Sequence, residues 1–315
     1  MDCGNMGQAG IQYKESTTEH GSIQYSINKQ TERAAVSGYR GKDTELVIPD
    51  AVDGYAVTVI GKKAFLSNKM LRQITLPETV TRIDDWAFAY CAKLTRIILP
   101  YHHMEIGQGI FKDCFGLEQI VNECAGGQEK RTTDISYLLA ASMSRLDAFY
   151  LFDFENAGTD EWLARWDSRM QSMMRAGDAE GFSKMLLCGE EDYGSKENNL
   201  DYYMEQRRRE KVRTALLRLL HDYGLDQDVR AELETYLLDH VKGEQTEETW
   251  KVVLEEYGDD LRYYQFLTKL GGVREDNFQA MMEDMGESHT EMKAYLMKYH
   301  SEQCGPEDAF AQFEL

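Results

Sequence analysis

The chain has 315 residues, of which 42% are hydrophobic and 29% charged, and its formal net charge is −20. That balance suits a globular chain with a sizeable core and length for two domains, and it excludes the compositions of collagen-like, disordered and disulfide-scaffold proteins. The charge is uneven: 13 Lys and Arg stand against 15 Asp and Glu up to Glu123, and 22 against 40 beyond it. Such a field repels nucleic acid and anionic membrane, so neither is an expected partner. No apolar run approaches the roughly 18 residues needed to span a bilayer. The opening Met1-Asp2-Cys3-Gly4-Asn5 has neither the basic nor the apolar region of an export signal. A cytoplasmic location is therefore expected, with an extracellular or cell-surface one as the alternative if an export signal precedes this sequence.

Residues 1–22 read as a polar, mobile lead. Ile23-Gln24-Tyr25-Ser26-Ile27 then alternates apolar and polar as a half-exposed strand does, and Ala35 to Tyr39 is placed to return beside it. A hairpin there would cover the open end of the segment after it, where a bare edge would otherwise be exposed.

From Leu46 onward the chain is periodic. Leu71, Ile74, Leu76, Pro77, Ile83, Phe88 and Cys91 recur 23 residues later as Leu94, Ile97, Leu99, Pro100, Ile106, Phe111 and Cys114, and a further copy opens with Leu117 and Ile120. Upstream, Leu46, Ile48 and Pro49 stand 28 residues before Ile74, Leu76 and Pro77, so the first copy holds a five-residue insertion, which the turn-forming Asp53-Gly54-Tyr55 accommodates. A fixed period of this length with leucine and isoleucine at set places is the mark of a leucine-rich-repeat solenoid, whose coils bury their apolar faces only against one another. In wording, Leu71-x-x-Ile74-x-Leu76-Pro77, Val80, Ile83, Ala87-Phe88 and Cys91 resemble the BspA-like leucine-rich repeats over about residues 23–123. The departures are Asp84 for the usual glycine, Ile110 for alanine and His103 for valine. The resemblance implies a β-solenoid and, because relatives have been linked to adhesion, a host- or matrix-binding role as one alternative.

Stacking at this period aligns outward rows. Arg72, Thr95 and Glu118 form one, Glu45, Gln73, Arg96 and Gln119 a second, and Val47, Thr75, Ile98 and Val121 a third. The third is rich in β-branched aliphatics at outward positions and is rimmed by Arg72, Arg96, Glu45 and Glu118, the make-up of a contact surface. The competing readings are that β-branched residues simply favour strands or that the helical half packs there. Cys91 and Cys114 share one place in adjacent coils and read as stacked, buried thiols in a reducing compartment.

After Glu123 the period stops. Residues 125–132 read as a hinge, and residues 133–315 as an acidic, all-helical domain of nine or ten helices, with apolar residues spaced by three and four from Ile135 to Tyr299. Gly224, Gly258, Gly271 and Gly286 stand where helices end. Leu216 to Gly224 against Phe266 to Gly271 suggests ankyrin- or HEAT-like helix pairs. The expected fold is thus α+β: residues 23–124 a short β-solenoid with an N-terminal hairpin cap, then the helical domain.

Three features of the chain bear on chemistry. Glu190, Glu191 and Asp192 cluster in a glycine-bounded loop, and Arg207, Arg208 and Arg209 lie together on a helix. Three consecutive positions span about 300° of a helix, so these guanidinia cannot share a face; one of them clamping the acidic loop is the preferred reading over phosphate recognition. His221, His240, His289 and His300 lie near helix ends, where a C-terminal dipole favours imidazolium, and none has a partner at ligand or triad spacing. No phosphate-binding, zinc-protease or nucleophile-elbow motif is present. The expected function is a non-enzymatic adaptor that binds a protein partner and needs no cofactor or metal. The alternatives are the adhesin-like binder and a metal-dependent hydrolase centred on residues 190–192.

Overall fold

The computed structural model describes residues 11–122, 129–188 and 199–304. Its strands are β1 (Ile11–Thr17), β2 (Gly21–Asn28), β3 (Arg33–Gly41), β4 (Glu45–Val47), β5 (Ala51–Val52), β6 (Tyr55–Ile60), β7 (Gln73–Thr75), β8 (Arg82–Ile83), β9 (Arg96–Leu99), β10 (Glu105–Ile106) and β11 (Gln119–Asn122). Its α-helices are α1 (Glu129–Ser144), α2 (Asp160–Arg175), α3 (Phe182–Cys188), α4 (Leu200–Leu220), α5 (Gln227–Leu238), α6 (Glu248–Glu256), α7 (Leu261–Leu270), α8 (Glu275–Asp284) and α9 (Thr290–Cys304), and a 3-10 turn spans Phe149–Leu151. The chain divides into two compact units, one up to Arg169 and one from Met170 onward.

In the first unit the solenoid has two sheets. One runs β1-β2-β3-β6-β8-β10 with β5 attached to β6, and the other runs β11-β9-β7-β4. The second sheet is parallel throughout, and its register reproduces the 23-residue spacing: Leu46, Ile74, Ile97 and Ile120 pair in one inward row. Between the sheets Leu71, Ile74, Ile83, Phe88, Leu94 and Ile97 have no exposed surface. Phe65, Phe88 and Phe111 stack at 5.2 and 5.7 Å between ring centres, Tyr39 tops the column at 5.7 Å, and Phe152 closes it edge-on at 5.9 Å. Five rings thus run in contact through this unit, and aromatic side chains each bury a large apolar area.

The expected insertion is a hairpin. Asp53 and Gly54, with φ of 50° and 83°, form the turn between β5 and β6, the conformation that a two-residue hairpin requires. The β2-β3 hairpin at the N-terminal end is antiparallel, and it alternates buried Ile23, Tyr25 and Ile27 with partly exposed neighbours.

Several expectations are corrected. The lead expected to be mobile contains β1, paired along its whole length with β2, so that β2 is paired on both sides and the sheet edge moves out to β1; residues 1–10 lie outside the described set. Where valine was expected at position 103, His103 is exposed and Met104 takes the inward place, 5% exposed, so the coil absorbs the change by one residue and Ile106 still pairs with Ile83. The compact units are not divided at 125–132, of which residues 125–128 lie outside the described residues. The boundary falls inside α2, because α1 packs on β11 and Trp162 and Trp166 of α2 donate to the Leu151 and Leu138 carbonyls at 2.9 and 3.0 Å. Their buried apolar side chains continue the core of the first unit beyond β11.

In the second unit α4 packs on α5 and α6, and α9 on α7 and α8. Asn199, Asp226 and Asp260 cap α4, α5 and α7 by accepting from N–H groups of the first turn. Gly271 closes α7 in the left-handed region at φ 81°, and Gly286 follows α8 at φ 51°. Gly258 was expected in the same role but has no positive φ; there a side chain would strike the Leu254 carbonyl and the His289 ring at about 2.4–2.5 Å, so the need is for close approach.

Candidate binding surface

The outward face of the β4-β7-β9-β11 sheet carries the rows expected from the period. Val47 pairs with Thr75, Thr75 with Ile98 and Ile98 with Val121, while Glu45, Gln73, Arg96 and Gln119 pair in the row two residues earlier. Period-two alternation puts both rows on the same side of the sheet. Exposure grades along the third row. Val47 is 71% exposed, Thr75 and Ile98 are partly exposed and Val121 is 8% exposed. Val121 lies on β11, the strand against which α1 packs. Arg72 and Glu118 are exposed at the rim, and Arg96 is partly covered. The accessible stripe is therefore Val47, Thr75 and Ile98, and Val121 is removed from it.

The other sheet offers a surface that the periodic reading passed over. Ala35, Val59, Arg82 and Glu105 form a register row, and with Ile11, Arg33 and His103 they line an open groove of about 790 Å³. Arg82 and Glu105 stand 23 residues apart, a spacing already visible in the sequence. The signal was missed because the two carry opposite charge and no motif marks them.

The acidic loop Glu190-Glu191-Asp192 lies outside the described residues. The described partners of the neighbouring arginines are elsewhere. Arg208 donates to Glu248 at 2.9 Å and to Asp178 at 3.4 Å, and Arg209 pairs with Glu255 and lies 3.8 Å from Glu205. Lys211 meets Asp178 at 2.7 Å, and Arg213 grips Glu256 through two bonds of 2.7 Å. The basic run of α4 thus ties that helix to α6 and to the turn at Asp178, with Arg208 and Lys211 converging on Asp178 and Arg209 and Arg213 on Glu256. Burial would raise the carboxyl of Asp178, but Lys211 and Arg208 hold it below the ordinary range; burial likewise opposes Glu248, which Thr246 and Arg208 hold low. Shifts of this origin belong to a structural ion-pair network.

A second buried carboxylate fastens the N-terminal cap. Asp43, 4% exposed, accepts from the Thr18 hydroxyl, from the His20 N–H at 2.9 Å and from the Tyr39 hydroxyl at 2.7 Å. Its burial would raise the carboxyl, yet these donors hold it low, while Tyr39 is pushed up to about 12, first by burial and then by Asp43.

The histidines divide. His221 ends α4, and His240 follows α5 with Nδ1 2.7 Å from the Tyr236 carbonyl oxygen. His289 is a correction: it precedes α9, at the positive end of that helix, and its ring is 2.7 Å from Asp259. Cys91 and Cys114 are free and buried, and their thiols donate to the Phe65 and Phe88 carbonyls at 3.1 and 3.0 Å. Among the described residues no group of three His, Cys, Asp or Glu could hold a metal ion, and no helix is long and apolar enough to cross a membrane.

Comparison with known proteins matches the periodic region. The model of the BspA type leucine rich repeat region matches residues 44–125 in six copies. Among solved structures, the T. pallidum leucine rich repeat protein is 33% identical over 34% of this chain and 50% of its own length, with a TM-score of 0.31. A leucine rich cell surface protein of Faecalibacterium prausnitzii is 26% identical over 35% of this chain and 32% of its own, with a TM-score of 0.29. A leucine-rich repeat protein of Bacteroides ovatus is 29% identical over 37% and 29%, with a TM-score of 0.27. The chain thus spans half or less of the length of these solved relatives. No curated protein matches it. Residues 44–125, with their 23-residue register and inward leucine and isoleucine rows, are a BspA-type leucine-rich-repeat region, and the match ends where the helical region begins.

Proposed function

We propose that this protein is a non-enzymatic adaptor whose repeat unit binds a protein partner on the outward face of the β4-β7-β9-β11 sheet. The observation that carries the reading is the stripe Val47, Thr75 and Ile98, held in register on a parallel sheet, with Val47 71% exposed and charged residues at its rim. An aliphatic side chain on a rigid strand loses little entropy when covered, and a polar rim gives a partner its register. The burial of Val121, on the strand against which α1 packs, limits the stripe to the first three coils. A cytoplasmic location belongs to the same proposal; the adjacent free thiols of Cys91 and Cys114 are compatible with a reducing compartment, and fractionation of the source cell tests it.

The test uses the whole chain as bait in lysate of the source cell, beside Val47→Glu and a control, Lys93→Glu, on another surface. The expected outcome is a partner retained by the wild type and the control and lost with Val47→Glu, at unchanged melting temperature. Retention of every captured protein by Val47→Glu contradicts the reading. A partner found only among extracellular or matrix proteins would convert the adaptor into the adhesin-like binder on the same face.

A further inference from the structure

The turns that join the two sheets of the solenoid have a ladder of their own. The N–H groups of Lys63, Phe65 and Ser67 donate to the carbonyls of Asp85, Ala87 and Ala89 at 3.2, 2.8 and 2.8 Å. Those of Trp86, Phe88 and Tyr90 donate to Gln108, Ile110 and Lys112 at 3.0, 3.0 and 2.7 Å. Every second residue of a turn passes a donor forward to the next coil. The backbone repeats as well: Lys63, Trp86 and Gly109 all have φ of 60°, and Ser67, Tyr90 and Asp113 have 59°, 60° and 54°.

The next donors in this series are Gly109, Phe111 and Asp113. At the same offset their acceptors would be residues 131, 133 and 135, which lie inside α1, where the backbone bonds along its own helix. Among the described residues no acceptor meets these three N–H groups. The same three residues line a groove of about 600 Å³ together with Phe115, Asp147 and Phe149. Phe115 is 79% and Phe149 49% exposed. Two carboxylates, Asp113 and Asp147, stand in that lining against one cation, Lys112, whose Nζ lies 5.4 Å from the centre of the Trp86 ring.

Backbone donors at every second residue with no acceptor among the described residues are what the bare end of a stacked coil presents, and a segment that supplies carbonyls at that spacing pairs with them. We propose that this end of the repeat stack docks a peptide segment carrying one apolar and one basic side chain. Its carbonyls accept from Gly109, Phe111 and Asp113, the apolar side chain lies against Phe115 and Phe149, and the basic one meets Asp113 and Asp147. A free anion also suits open N–H groups, but the two carboxylates oppose it. The site is separate from the Val47 stripe and does not depend on that reading.

The experiment is amide exchange and peptide titration on the isotope-labelled full chain, followed by nuclear magnetic resonance. The probes are acetyl-Lys-Val-Phe-Val-Lys-amide, its counterpart with Glu in place of Lys, and sodium phosphate. In the free protein the amides of Gly109, Phe111 and Asp113 should exchange about 100-fold faster than those of Trp86, Phe88 and Tyr90. The lysine peptide should shift those three signals saturably and slow their exchange. The glutamate peptide and Phe115→Ser should each weaken the response about fivefold or more, with the melting temperature of Phe115→Ser unchanged. Equal protection of the two sets of amides in the free protein overturns the proposal, and so does the absence of a saturable shift. An equal response to both peptides, a response to phosphate alone, or full affinity in Phe115→Ser overturns it as well.

Discussion

In the repeat unit the groups stacked from layer to layer are apolar. Phe65 lies on Phe88 and Phe88 on Phe111 with no charge between them, and successive coils beside them are held by parallel backbone ladders. In the helical unit the layers are joined by ions: Arg208 to Glu248 and Asp178, Lys211 to Asp178, and Arg213 to Glu256. The difference comes from geometry. A coil repeating every 23 residues returns the same residue type to the same height, so a phenylalanine column assembles itself from one motif. Helices of unequal length have no such register, and single long side chains reach across where apolar rows do not line up. Stability in the first unit is therefore expected to respond to side-chain volume, and in the second to charge and pH.

The largest effect should come from Phe88, which has no exposed surface. Phe88→Ala opens a cavity in the middle of the column and should cost about 3–5 kcal/mol. Urea unfolding followed by hydrogen exchange should show the loss in the repeat unit, with protection of α4 to α9 unchanged. Next comes Arg208→Ala, which strands Glu248 and should cost about 3 kcal/mol, lost from the helical unit alone. Because Asp178 and Glu248 have lowered carboxyl values, the stability they contribute is complete above the unfolded value of about 4 and drains as the pH falls through their folded ones. A melting profile of the helical unit that is flat from pH 6 to pH 3 would break the comparison.

Asp43→Asn is a sharper case, because it places an ionic device in the apolar unit. It keeps the shape but weakens three accepted bonds and should cost about 1–3 kcal/mol. Its folded carboxyl is lowered too, so the wild type should lose the advantage over Asp43→Asn as acid is added, and fraying should begin at β1 and β2. The smallest effect belongs to Lys14→Ala. Its pair with Asp53 is 3.1 Å long, but the two side chains are 40% and 47% exposed, and the change should stay within about 1 kcal/mol.

Much of the repeat unit could be read from spacing, since a period carries register: the inward row from Leu46 to Ile120 and the outward row from Val47 to Val121 both come from the 23-residue offset and its one insertion. The features that escaped did so for physical reasons. β1 carries Ile11 and Tyr13 at 46% and 68% exposure, so no buried face disciplines its pattern. Phe152 completes the phenylalanine column from outside the period, where spacing is silent. In the left-handed turn row only Gly109 is a residue type that signals its backbone, while Lys63 and Trp86 take the same φ because the ladder holds them there. Helix positions in the second unit were legible from apolar spacing at three and four, but their partners were not. Nothing in Arg207-Arg208-Arg209 tells which carboxylate each one meets.

The central claim is that the Val47 stripe is covered by a protein in the cell. The most direct measurement places a photoreactive benzoylphenylalanine at position 47 of the full chain in its source cell, with a second variant carrying it at position 93. The account predicts one discrete cross-linked partner from position 47 and none from position 93. Silence at position 47, or the same products from both positions, would contradict it.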